Sequence, residues 1–259
     1  MNRFFIVLIT ILLLLAGCQA GTKQDSASSK KTELIISAAA SLQDALKEIE
    51  TTYKDKHPNI QFINNFGSSG ALQQQLAQGA NADLFFSAAE EPFDALVKSG
   101  EINQDHTIDL IGNEIVLIVP KKSTSSIKSF EDLKNSQGKI ALGTPESVPA
   151  GTYGKEVLTK MKLWNQVRNK AVYGKDVRQV LSYVETGNVD AGIVYKTDTL
   201  VSKKVDIVDK ANTDTHSPIV YPLGIIKSTK HLKETKAFYE YLQSDEAVTV
   251  FKKYGFQIR

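Results

Sequence analysis

Cysteine is almost missing from this chain: Cys18 is the only one among 259 residues, which excludes an internal disulfide. Histidine is scarce as well. His57, His106, His216 and His231 lie apart in polar or turn-like surroundings, without the clustered carboxylates a metal centre uses and without the paired tyrosines of a ferric site. Nothing in the sequence places any of the four beside Ser69 as the general base a serine hydrolase needs, which argues against an enzyme of that kind. Net charge is only +2 with both signs interspersed, and no basic block or aromatic-basic ladder marks a nucleic-acid surface. Internal repeats and an ATP-binding segment are also missing.

Long apolar runs are confined to the start. "MNRFFIVLITILLLLAGCQAG" sets Arg3 ahead of an apolar stretch broken only by Thr10 and closed by small residues. The stretch is shorter than the roughly 20 apolar residues of a membrane-spanning helix, so residues 1–17 read as a secretory signal. Leu15-Ala16-Gly17-Cys18 resembles the lipobox of bacterial lipoproteins, which implies cleavage before Cys18 and a lipid on its thiol. The expected location is the extracytoplasmic face of the cell membrane. An ordinary signal peptide with a stray cysteine is the plainer alternative. Residues 18–32, polar and Ser-rich, read as a flexible lipidated tether.

From Glu33 onward, short apolar strands alternate with helical patterns. "ELIISAAA", "IQFINNF", "ADLFFSA", "EIVLIVP", "KIALG", "AVYG" and "AGIVY" read as strands. Leu42, Ala45, Leu46, Ile49 and Tyr53 fall at helical spacing, and further helices are predicted in "TYGKEVLTKM" and "DVRQVLSYVETG". This alternation predicts an α/β protein with parallel sheets covered by helices. Its length favours two lobes, with a break near Gly112-Asn113 where the pattern restarts after a polar stretch. "HSPIVYPLGII" is where the chain could return to the first lobe.

The strand-to-helix junctions carry serine, glycine and no cation. Ser41 follows the first strand, "FGSSGALQQQL" opens a helix with Ser68 and Ser69, and Pro149-Ala150-Gly151-Thr152 and Asp176-Val177 open two more. Such helix starts leave backbone N–H groups unpaired and carry partial positive charge, so several converging ends could hold an anion without Lys or Arg. Each serine read alone is a plain N-cap. Asp176 with Gln179 resembles a capping box, which leaves Val177 only its N–H to offer. Tyr195, at the end of "AGIVY", is either a half-buried strand-end tyrosine or a further O–H donor. Phe66-Gly67-Ser68-Ser69-Gly70 does not have the G-x-S-x-G spacing of a nucleophile turn, and it leads straight into a periodic helix, unlike a linker.

Taken together, "AAASL", "FGSSGAL", "GANADLFFSA", "PESVPAGTYGKEVL", "DVRQVL", "GIVY" and "FKKYGF" closely resemble the periplasmic molybdate-binding proteins of ABC importers, in order and spacing from about Glu33 to Arg259. The resemblance implies a two-lobed periplasmic-binding-protein-like fold of the type II, Venus-flytrap kind. Lobe 1 would comprise 33–112 plus 221–259 and lobe 2 residues 113–220. It implies a monomeric binding protein rather than an enzyme, with no cofactor, holding molybdate or tungstate. Its partners would be the permease and ATPase subunits of the importer, with no nucleic acid. By the same resemblance, Ser41 and Ser69 would donate hydroxyl hydrogens, Ala150 and Val177 backbone N–H groups, and Tyr195 its phenol. Gly70 departs from relatives that carry Ser or Thr there. The rival reading is the same fold holding another oxyanion such as sulfate or phosphate. Lys155, Lys175 and Arg178, close in sequence to these positions, are expected to point outward.

Overall fold

The computed structural model describes residues 31–124 and 126–259. The signal segment, Cys18 and nearly all of the tether lie outside these described residues. Residues 31–259 form one compact unit built on two sheets.

The first sheet contains β1 (Thr32–Ala39), β2 (Ile60–Gly67), β3 (Leu84–Phe86), β4 (Ile102–Gly112), β10 (Val220–Ile226) and β11 (Gln257–Ile258), in the order β11-β4-β10-β3-β1-β2. The second contains β5 (Ile115–Pro120), β6 (Ile140–Gly143), β7 (Ala171–Gly174), β8 (Ala191–Tyr195) and β9 (Val205–Lys210), in the order β7-β6-β8-β5-β9. Both sheets are mixed, which corrects the expectation of parallel sheets. β1, β2 and β3 run parallel, as do β6, β7 and β8, but β10 is antiparallel to β3 and β4, and β5 is antiparallel to β8 and β9. The odd strands have a topological cause: β5 leads the chain into the second sheet and β10 brings it back into the first.

Burial explains which strands were legible. β1 sits between β3 and β2 and is buried on both faces toward its end, so it reads as an apolar run, whereas edge strand β2 alternates. β4 is polar in sequence because its middle residues are largely exposed; only its ends enter the core. Helix α1 (Gln43–Lys56) turns Ala45, Leu46, Ile49 and Tyr53 inward, as its spacing predicts. Ser41 precedes it in a 3-10 turn, Ala40–Leu42.

The parallel strands all deliver the chain to helix starts at their C-terminal ends, the crevice edge where α/β sheets place ligands. β2 feeds α2 (Ser69–Ala77), β6 feeds α4 (Pro149–Lys160) across a short turn, and β7 feeds α6 (Val177–Glu185); α3 (Glu90–Ser99) and α5 (Trp164–Val167) complete the helices up to that point. The β6–α4 turn closes so tightly that a Cβ on Gly151 would lie 2.1 Å from the Gly143 carbonyl oxygen, so only glycine lets the helix start there.

Candidate functional site: a neutral cavity between strand ends

Ser41, Ser69, Ala150, Val177 and Tyr195 all line one small cavity, with Ala39, Gly67 and Ala88 beside them on the first-sheet side and Val148 and Pro149 on the second. No charged side chain is among its lining residues. The cavity is small, and all five residues are buried, none more than 4% exposed.

Each residue is presented by local backbone chemistry. Ser68, not Ser69, caps α2: its Oγ accepts the Ala71 N–H at 3.4 Å. Ser69, the first residue of the helix, is thereby spared capping, and its Oγ accepts the Ala88 N–H at 2.9 Å. Its own hydrogen remains to be donated. Ala150 and Val177 lie in the first turns of α4 and α6, where no carbonyl stands one turn back to take their N–H groups. Asp176 Oδ1 caps α6 by accepting the Gln179 N–H at 2.9 Å, and Gln179 Oε1 reaches back to the Lys175 N–H at 2.8 Å instead of closing the box on Asp176 itself. Tyr195 donates a long 3.4 Å hydrogen bond to the Ala88 carbonyl. Burial, reinforced by the neighbouring Tyr221, drives its phenol well above the ordinary value and keeps it an O–H. The serine hydroxyls and helix N-termini can offer hydrogens to a guest, and the Tyr195 phenol can do so by leaving the Ala88 carbonyl.

Three residues of this assembly were not picked out from sequence: Ala88, Asn113 and Tyr221. Tyr221 Oη lies 2.9 Å from Ser41 Oγ and accepts from Asn113 Nδ2 at 3.0 Å. A tyrosine inside the apolar run "IVYPLGII" was the available signal, because a buried phenol needs a partner.

The cations do not enter the cavity. Lys155 lies over the Trp164 ring at 5.4 Å and Lys175 is exposed. Arg178 corrects the outward expectation: its side chain is only 23% exposed and pairs with Asp44 at 2.7 Å and the fully buried Asp198 at 2.9 Å. Burial raises the Asp198 carboxyl to about 6 against the downward pull of Arg178, so the guanidinium is drawn in to a charge that needs it. A larger groove of about 750 Å³ beside the cavity carries Glu90, Glu91, Asp94, Glu146 and Glu156, which makes it a poor host for an anion.

Residues 34–257 match the family described as bacterial extracellular solute-binding protein. The chain belongs to that family. Its relatives include the protein of Bacillus subtilis (strain 168) named "Putative ABC transporter substrate-binding lipoprotein YvgL", 65% identical over 97% of this chain and 96% of that one. The molybdate-binding protein ModA of Escherichia coli (strain K12) is 35% identical over 90% of this chain and 92% of its own length. Among solved structures, the Azotobacter vinelandii periplasmic molybdate-binding protein shares the fold, with a TM-score of 0.78 at 23% identity over 87% of this chain and 99% of that one. This chain is thus an extracellular solute-binding protein rather than an enzyme, and its two mixed sheets with their helices share the α/β fold of periplasmic binding proteins.

Proposed function

We propose that this solute-binding protein captures molybdate, and tungstate with it, and delivers it to the permease of an ABC importer. The observation that carries the reading is the uncharged cavity lined together by Ser41, Ser69, Ala150, Val177 and Tyr195; in this reading their hydroxyls and first-turn N–H groups are the donors to the anion. The name of its E. coli relative, a molybdate-binding protein, supports the choice of anion. In this reading residues 33–112 plus 221–259 form one lobe and 113–220 the other. The lobes open to admit the dianion, whose hydration shell is replaced by fixed neutral donors as they close. The protein acts as a monomer held at the membrane by lipid on Cys18; the lipoprotein name of the B. subtilis relative supports that anchor. Membrane fractionation of wild type and Cys18→Ser with a lipid label tests it, and an unlabelled wild type overturns it.

Ligand choice is decided by calorimetric titration and thermal shift with molybdate, tungstate, sulfate and phosphate. Molybdate and tungstate have longer metal–oxygen bonds than the S–O bonds of sulfate, so a cage spaced for them leaves sulfate with stretched contacts. Both should raise the melting temperature strongly, sulfate weakly and phosphate hardly at all. Sulfate equalling molybdate in that panel would keep the fold and transfer the ligand to the rival reading.

A further inference from the structure

Arg178 stands in an unfavourable place for a cation. It lies in the first turn of α6, next to Val177, where the helix N-terminus is itself partly positive. Charge on two sides holds it there. Its Nε lies 2.9 Å from Asp198 Oδ1 and its Nη2 lies 2.7 Å from Asp44 Oδ2. Asp198 is fully buried, and its other oxygen accepts the Tyr195 backbone N–H at 3.3 Å. Asp44 comes from a different part of the fold. It sits in the first turn of α1, three residues after Ser41, and α6 packs against the Ala40–Leu42 turn just before it.

The two contacts differ in what would break them. In the lobe division proposed above, Arg178 and Asp198 both belong to residues 113–220, so they stay together however the lobes move. Asp44 belongs to the other lobe, so its contact exists only while the lobes are closed. Among the described residues it is the only ion pair that joins the two. A loose pair across a cleft gains little, because ordering long side chains and screening by salt offset the attraction. Here Asp198 has already fixed the guanidinium, which removes much of that ordering cost. The contact is sheltered as well: the Asp44 side chain is 34% exposed, yet the oxygen that meets Arg178 is closed off from solvent. Each member is also tied to the cavity wall. Arg178 follows Val177, Asp198 holds the Tyr195 backbone, and Asp44 shares a short stretch of chain with Ser41. The closed geometry that sets Ser41, Val177 and Tyr195 around one cavity is therefore the geometry that brings Arg178 to Asp44.

We propose that Asp44 and Arg178 are positioning residues that form a latch between the lobes, made only on closure, which prolongs the stay of the bound anion without touching it. The inference rests on the proposed opening and closing of the lobes and names a contact that sets the balance between the two states. A contact present in the closed state alone shifts the equilibrium toward that state and raises apparent affinity with it. Since the anion enters the open form, the latch acts on release and not on capture.

The test follows isotopically labelled molybdate bound to wild type, Asp44→Glu, Asp44→Ala and Asp44→Lys, chased with excess unlabelled molybdate, beside calorimetric titration. Arg178 is left in place because Asp198 needs it. Two roles for Asp44 predict opposite signs. A carboxylate that acts only as a charge near the cavity repels a dianion, so Asp44→Ala and Asp44→Lys would bind molybdate more tightly. A carboxylate that latches the lobes favours closure. Asp44→Ala should then release molybdate about fivefold faster, and Asp44→Lys faster still by repelling Arg178, with association scarcely changed. Asp44→Glu keeps the charge and should restore most of the wild-type rate. A merely structural role would lower the melting temperature of the ligand-free protein and leave release untouched. Unchanged or slower release in folded Asp44→Ala and Asp44→Lys overturns the latch alone. A wild type that binds molybdate without compacting in small-angle scattering overturns the lobe motion and the latch with it. One that binds no oxyanion overturns the proposed function as well.

Discussion

Arg178 Nη2 lies 2.7 Å from Asp44 Oδ2, joining α6, which packs on the second sheet, to α1, which packs on the first. The same guanidinium reaches Asp198 at 2.9 Å, so one side chain spans a buried charge and a partly exposed one. Arg178→Ala leaves Asp198 buried without its cation and should cost about 3–5 kcal/mol of stability. Asp44→Asn keeps that buried pair and should cost no more than about 1 kcal/mol, as partly exposed pairs do. Urea unfolding of both variants separates the two. Equal losses would mean that the Asp198 contact does not dominate.

Ser68 and Ser69 are neighbours in sequence with different tasks. Ser68 caps α2, so Ser68→Ala should lower stability by about 1 kcal/mol with little change in ligand affinity. Ser69→Ala should do the opposite, weakening oxyanion binding by about 1–3 kcal/mol through loss of a hydrogen bond to a charged group. Titration calorimetry paired with thermal melts reads both quantities. If affinity falls in Ser68→Ala and holds in Ser69→Ala, the two roles are interchanged.

The contrast also shows what sequence could convey. The βα alternation, the core spacing of α1 and the helix starts at Ser68, Pro149 and Asp176 were legible because periodicity and caps are local signals. The antiparallel runs of β5 and β10 were not, since strand direction depends on where the chain re-enters a sheet. The five cavity residues were picked out as strand-to-helix junctions and by family resemblance. Asn113 and Tyr221 were missed because they meet 108 positions apart in sequence, and nothing local marks such a bond. Arg178 was misjudged for a similar reason: its buried partner, Asp198, belongs to another element.

A second buried carboxyl gives the protein a pH signature. Glu50, on α1, is 4% exposed, and burial pushes its carboxyl up to about 7 although the Asn64 amide at 2.9 Å and Lys54 and Lys47 pull it down. Between the unfolded value of 4.5 and about 7, the folded protein keeps a proton that the unfolded chain has lost. Stability from this group is therefore fully present below that window and falls as pH rises through it, by on the order of 3 kcal/mol in all. Glu50→Gln mimics the protonated form. It should flatten this part of the profile and stabilise the protein at about pH 8, where wild type has lost the contribution. Denaturant melts across pH check this, and a variant with the wild-type slope would place the titration elsewhere.

Gly70 supplies the last contact that can be broken selectively. Its N–H donates to the Ser147 carbonyl at 3.0 Å, bringing the start of α2 against the turn before α4. A Cβ there would stand 2.7 Å from that same oxygen and 2.9 Å from Ser147 Cα, and backbone cannot swing aside as a side chain can. Gly70→Ala should prop apart the two sides of the cavity. Overpacking of this kind costs about 1–3 kcal/mol, and under the proposed opening and closing of the lobes it falls on the closed arrangement, so the loss should appear as weaker binding. The melting temperature of the ligand-free protein should scarcely move, since an opened cleft relieves the clash. Small-angle scattering with and without molybdate, beside a calorimetric titration, gives the comparison: wild type should compact on binding and the variant should compact less. Full compaction at wild-type affinity would mean that the Ser147 turn yields, and that the glycine is not what permits closure.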